Sequence, residues 1–303
     1  MTRQPHDQFA KQYLEELLAP LGRVEISREV ASEVRQVDIW FVPATLLHTE
    51  SQVLGLLGQM ASASCLLEPF RNPSSAVEVR NCLLKLYSLH GELLRKARRE
   101  KNSLSEGELP RLWILSPSCS ATLLNGFGAK LDSSGNWSEG VYFLPELQRT
   151  ALVAINQLPA TEQTLWLRLL GRGAVQKQAV DELVALPKEH PLRRNILELL
   201  ANWRINVEGS ENLSDEDREL IMNLSPAYLR WRNDTFQEGR QEGTLEGQRI
   251  MVENLLEERF GTLDEELSQI VARIMQLPVR ERTRLLLQLS REELSERFGE
   301  ELI

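Results

Sequence analysis

The chain of 303 residues is 42% hydrophobic and 26% charged, enough apolar material for a sizeable core and, at this length, about two domains. No stretch approaches the ~18 uninterrupted apolar residues of a membrane span, and the polar start, Met1 to Phe9, does not resemble a signal peptide, so a cytoplasmic protein with no membrane partner is expected. The formal charge of −9 is concentrated: residues 1–209 carry 23 basic and 23 acidic groups, whereas 210–303 carry 12 and 21, so the last third repels phosphate.

Gln8 to Leu18 aligns Phe9, Tyr13, Leu14, Leu17 and Leu18 on one helical face, stopped by Pro20 and Gly22. Val24, Ile26, Arg28 and Val30 then alternate with Glu25, Ser27 and Glu29, and Arg35, Val37, Ile39 and Phe41 alternate with Gln36, Asp38 and Trp40. A period of two predicts a hairpin with Asp38 on its polar side. After a short helical pattern, Gln52 to Met60, the run Cys65, Leu66, Leu67 delivers Glu68 before Pro69 as a third strand. Pro73 and Ser75 open a long helix striped by Val79, Cys82, Leu83, Leu86, Leu89, Leu93 and Leu94; Leu112–Leu115 and Val141–Leu144 read as the fourth and fifth strands. From Thr161 apolar residues recur at three and four, predicting a helical array joined by Gly171, Gly173, Pro187 and Pro191.

Ser225 and Pro226 form a cap and first turn that open a helix running to Phe260, ~50 Å long. Within it a tetrapeptide repeat places Gly239, Gly243 and Gly247 on one stripe, at roughly 1 kcal/mol each relative to Ala. Something must offset that: close helix-to-helix approach across a homodimer, or use of the segment as a linker. Beyond Gly261, Thr262, Pro278 and the Ser290/Glu293 capping box mark three short helices. The expected fold class is α+β, a mixed sheet flanked by helices over 1–158, then a helical array over 159–224, the Gly-striped helix over 225–260 and a small helical tail over 261–303.

Chemistry concentrates in the first third. Asp38, held between Val37 and Ile39 on a strand, invites a metal-site reading, because a hard divalent cation needs carboxylate oxygens on rigid backbone; the other reading is an acid on a solvated sheet face. Arg80 to Lys101 carries seven basic residues against two acids, with Arg95, Lys96, Arg98, Arg99 and Lys101 clustered at a helix end. That is a phosphate-contact pattern, and equally the pattern of cations stabilised by a helix C-terminus. Cys65, Cys82 and Cys119 lack CxxC spacing and read as buried thiols. There is no GxSxG elbow, Walker loop, GxGxxG after a strand or HExxH, and His6, His48, His90 and His190 are scattered.

His6–Phe9 on the first helix, Val37–Trp40 on the second strand, Leu67 to Asn72, and the Glu-Gly repeat leading into a small helical tail resemble bacterial transposase-like proteins and recombination-promoting nucleases of the PD-(D/E)XK superfamily. The resemblance implies a PD-(D/E)XK-like core with Asp38 and Glu68 as catalytic magnesium ligands, DNA as partner, and an uncharacterised C-terminal domain. It implies DNA contacts at Arg71, Arg95, Arg98, Arg99 and Lys101. The Lys those enzymes carry two residues after the second acid is replaced here by Phe70. Lys85 or Lys11 reaching in from a helix would supply the cation, and Asp7 or Glu15 a third acid; an alternative register is Glu50-Ser51-Gln52. Two functions follow: a metal-dependent DNA endonuclease, or a non-catalytic interaction or assembly protein built on a nuclease-derived fold.

Overall fold

The computed structural model describes residues 5–30, 35–44, 52–132, 134–209 and 215–298. They divide into two compact units, 1–231 and 232–303. In the first, helix α1 (Pro5–Leu18) leads into strands β1 (Gly22–Val30) and β2 (Arg35–Pro43), then α2 (Gly55–Met60), β3 (Cys65–Pro69) and the long α3 (Ala76–Arg99). Next come β4 (Arg111–Ser116), α4 (Ala121–Phe127), β5 (Lys130–Leu131), β6 (Val141–Phe143) and β7 (Thr150–Ala154), then α5 (Leu165–Arg168), α6 (Gly173–Ala185) and α7 (Arg193–Glu208). The expected α+β class is the observed one: a seven-stranded mixed sheet of order β1-β2-β3-β4-β7-β6-β5 with flanking helices.

Side-chain alternation on the central strands divides the sheet into two cores. Leu67, Trp113, Leu115, Ala151 and Val153 face one cluster with Phe9, Tyr13 and Leu17 of α1 and Trp203 of α7. Leu66, Leu112, Ile114 and Leu152 face the other, with Val79, Cys82, Leu86 and Leu89 of α3. β3 and β7 are buried at every position because helices cover both faces, as parallel neighbours require. Ser75 caps α3, accepting from the Glu78 N–H while Glu78 accepts from the Ser75 N–H, so the helix that carries Lys85 starts at a fixed place.

Several expectations are corrected. β7 and β5 join the five expected strands, and α4, which follows β4, is closed by Gly128 at φ 66°. The long helix, α8, begins at Asp215 rather than at Pro226 and runs to Phe260 with the proline inside it. The Ser225 hydroxyl donates to Ile221 O at 2.7 Å, one turn back, immediately before the residue that lacks an N–H. The second unit holds the rest of α8 with α9 (Glu265–Ile274), α10 (Val279–Gln288) and α11 (Arg291–Phe298), the three short tail helices expected. Its core is built from Val252, Leu256, Ile270, Ile274, Leu286 and Leu294. Among the described residues no helix is long and apolar enough to cross a membrane.

Candidate active site

Asp38 and Glu68 sit on adjacent antiparallel strands, and the pairs Ile39↔Leu67 and Trp40↔Leu66 set the register that brings them together. By alternation Glu68 falls on the α3 side with Leu66 and Phe70, in a place otherwise filled by hydrocarbon. It is 1% exposed, and every oxygen is used. Oε1 accepts from the Asp38 backbone N–H at 3.2 Å, and Oε2 accepts from Lys85 Nζ at 2.6 Å and from Cys82 Sγ at 3.8 Å. Burial raises Glu68 to about 8; the adjacent Asp38 charge and a shared hydrogen bond with that carboxylate add to the rise, against the pull of Lys85.

Two lysines close the cluster. Lys85, on α3, is held charged because Glu68 and Asp38 together outweigh its desolvation. Lys11, on α1, sits 2.7 Å from Asp38 Oδ1 and 3.1 Å from Asp7 Oδ2, and those two acids likewise hold it charged although burial opposes it. Burial, reinforced by Glu68, raises the Cys82 thiol, so it serves as a neutral donor.

One backbone outlier lies beside this cluster. The pairs Ile26↔Ile39 and Arg28↔Val37 put Ser27 opposite Asp38, and Ser27 has φ 52°, a left-handed conformation unusual for serine. Its hydroxyl is buried without a partner. Strain and an unsatisfied polar atom concentrate at functional sites.

Of the sequence-predicted site residues, the structure unites Asp38 and Glu68 with both candidate cations, Lys85 and Lys11, and with Asp7. Arg95, Arg98, Arg99 and Lys101 are exposed at the far end of α3. Arg95 alone is ten residues, about 15 Å of helix, from Lys85, so the basic cluster is outside the site. Arg71 lies just past β3, and its Nη2 pairs with Asp217 at 3.1 Å. Glu50 and Ser51 lie outside the described residues. Ser27 carried no signal, since its significance is a dihedral angle.

Asp38 and Glu68 present carboxylate oxygens, the donor type a hard divalent cation takes, and each is paired with a lysine, Asp38 with Lys11 and Glu68 with Lys85; Mg2+ characteristically takes one or two carboxylates, with water and substrate phosphate completing its shell. Among the described residues no group of three His, Cys, Asp or Glu side chains forms a ready-made metal cage, so a protein-only site is not what this arrangement offers. No family model, curated protein or solved structure matches the chain.

Proposed function

We propose that the first unit is a magnesium-dependent nuclease that hydrolyses DNA phosphodiesters. The observation that carries the reading is the placement of Asp38 and the buried Glu68 side by side on β2 and β3, with Lys85 Nζ 2.6 Å from Glu68 and Lys11 2.7 Å from Asp38. Asp38 and Glu68 would hold the cation; when bound, it lowers the pKa of a coordinated water and neutralises charge developing on phosphorus. Lys85, whose Nζ lies 2.6 Å from Glu68 Oε2, would take the part of the Lys that Phe70 replaces, its ammonium donating to the attacking water. Lys11 fixes the Asp38 carboxylate and is itself held by Asp7. Phe70 does not empty the site of its cation, because α3 supplies one from above the same strand face.

The direct check is cleavage of single- and double-stranded DNA by the full chain with magnesium or manganese, beside Asp38→Ala and Glu68→Ala. Cutting by the parent that disappears in both variants is expected. A parent that neither cuts nor binds metal would remove the assignment.

A second reading, assembly through α8, has its own observation. A Cβ added at Gly239, Gly243 or Gly247 would meet nothing within 4 Å, so the stripe is bare. The stripe borders a groove of about 730 Å³ lined also by Val271 and Met275 of the same unit. On this reading a second copy lays its own stripe against the first. Light scattering of the Gly239→Leu/Gly243→Leu variant should then give a monomer where the parent gives a dimer; an unchanged mass would exclude the stripe as the contact.

A further inference from the structure

Arg172 is placed with unusual care for a loop residue. Its backbone N–H donates to Asn156 Oδ1 at 3.1 Å, just past β7, and its Nη1 donates to Asn72 Oδ1 at 2.5 Å, just past β3. The glycines on either side make this possible. A Cβ on Gly171 would lie 2.9 Å from Asn156 Oδ1 and from Arg168 O, and Gly173 has φ 60°. Arg71, next to Asn72, lines the same cleft. Two guanidiniums are therefore held side by side at the C-terminal ends of parallel strands.

His6 and Trp203 line the cleft, ring against ring at 5.5 Å, and the Trp203 indole N–H is buried with no acceptor among the described residues. The first turn of α8 holds both arginines: Asp217 Oδ1 lies 3.1 Å from Arg71 and Glu216 Oε1 3.2 Å from Arg172. The remaining space is about 20 Å³, room for roughly one water.

The cleft adjoins the carboxylate cluster. Arg71 is three residues beyond Glu68, at most ~11 Å of backbone. His6 in the cleft precedes Asp7, which holds Lys11.

We infer that Arg71, Asn72 and Arg172 form a binding subsite for the phosphate backbone of duplex DNA, and that Glu216 and Asp217 occupy it as carboxylate stand-ins for two phosphates. Guanidinium forks suit phosphate as well as carboxylate, and a backbone phosphodiester carries one negative charge, as each of these carboxylates does. The Glu216 side chain is 53% exposed, so its pair with Arg172 is open to exchange with another anion. Release of the α8 first turn bares both arginines beside Asp38 and Glu68, so the same turn restrains the enzyme until DNA displaces it. This subsite rests on the nuclease reading for its substrate, not for its geometry.

The experiment is fluorescence anisotropy of a labelled 20-base-pair duplex with the full chain in EDTA, comparing the parent, Glu216→Gln/Asp217→Asn, and Asp215→Asn. Asp215 lies in the same turn but pairs only with Arg218 at 3.3 Å and is 98% exposed, so it reports the loss of helix-end charge alone. The double variant should bind at least tenfold more tightly, with a log–log salt slope steeper by about two contacts. Asp215→Asn should match the parent. Adding Arg71→Ala/Arg172→Ala to the double variant should return the affinity to the parent's. Equal affinity of parent and double variant, or absence of binding by both, overturns the inference. Circular dichroism confirms that each variant keeps its helix. Cleavage is read separately with magnesium: tighter binding without cutting leaves the subsite standing and removes the nuclease, whereas cutting at an unchanged affinity does the reverse.

Discussion

Replacing Lys85 by Met should lower the rate of magnesium-dependent cleavage by about 10²–10³, the usual effect of deleting one positioned donor. Replacing Lys11 by Met should do something different. Lys85 contacts Glu68 Oε2, so on the nuclease reading its loss removes the group proposed to orient water while leaving both proposed metal ligands in place. Lys11 lies 2.7 Å from Asp38 Oδ1, where a divalent cation needs the same oxygen, so its loss takes away a competitor. Metal titration followed by calorimetry separates the two. Lys85→Met should leave magnesium affinity within about threefold and depress turnover, whereas Lys11→Met should tighten magnesium binding and shift the metal dependence of cleavage to lower concentration. If both substitutions weaken metal binding alike, the lysines act only by holding the fold, and the division of labour fails.

The second large effect concerns acid stability. His6 is buried, and burial, aided by Arg71 and Arg172, lowers its pKa from 6.5 to about 3. The unfolded chain therefore binds a proton between pH 6.5 and about 3 that the folded chain refuses. Stability contributed by the neutral imidazole is complete above pH 6.5 and is lost as pH falls through that window, at ~1.4 kcal/mol per pH unit. At pH 4.5 the loss is about 3 kcal/mol. His6→Phe keeps an aromatic ring against Trp203 and removes the proton acceptor. Urea unfolding at pH 7 and 4.5 should show the parent losing about 3 kcal/mol more than the variant over that interval. Equal losses would mean that His6 does not contribute to acid sensitivity.

Sequence reading recovered what is local. The β1–β2 alternation, the capped start of α3 and the three tail helices follow from periodicity and caps spanning a few residues, and Asp38 and Glu68 lie within a recognisable strand pattern. β7 escaped for a physical reason: Thr150–Ala154 is covered on both faces, so its sequence carries apolar continuity instead of alternation. The α8 start was misplaced because proline is most at home in a first helical turn, while here it is carried in the interior. The site's cations are long-range features. Lys11 and Lys85 meet Asp38 and Glu68 through tertiary packing of α1 and α3, and no spacing rule links positions 11, 38, 68 and 85. Arg71 was read as a DNA contact from its neighbourhood alone; its carboxylate partner comes from residue 217, 146 positions away.

The left-handed Ser27 also bears on how copies of this chain can meet. β1 is an edge strand, and an open edge of nine residues is a template for another sheet. Its regularity is broken in the middle at Ser27, and Arg23, Glu25 and Arg28 line it with charge. The opposite edge, β5, offers only two residues. Neither border of the sheet invites strand addition, so growth into a continuous intermolecular sheet is disfavoured at both ends, and self-association is left to helical surfaces.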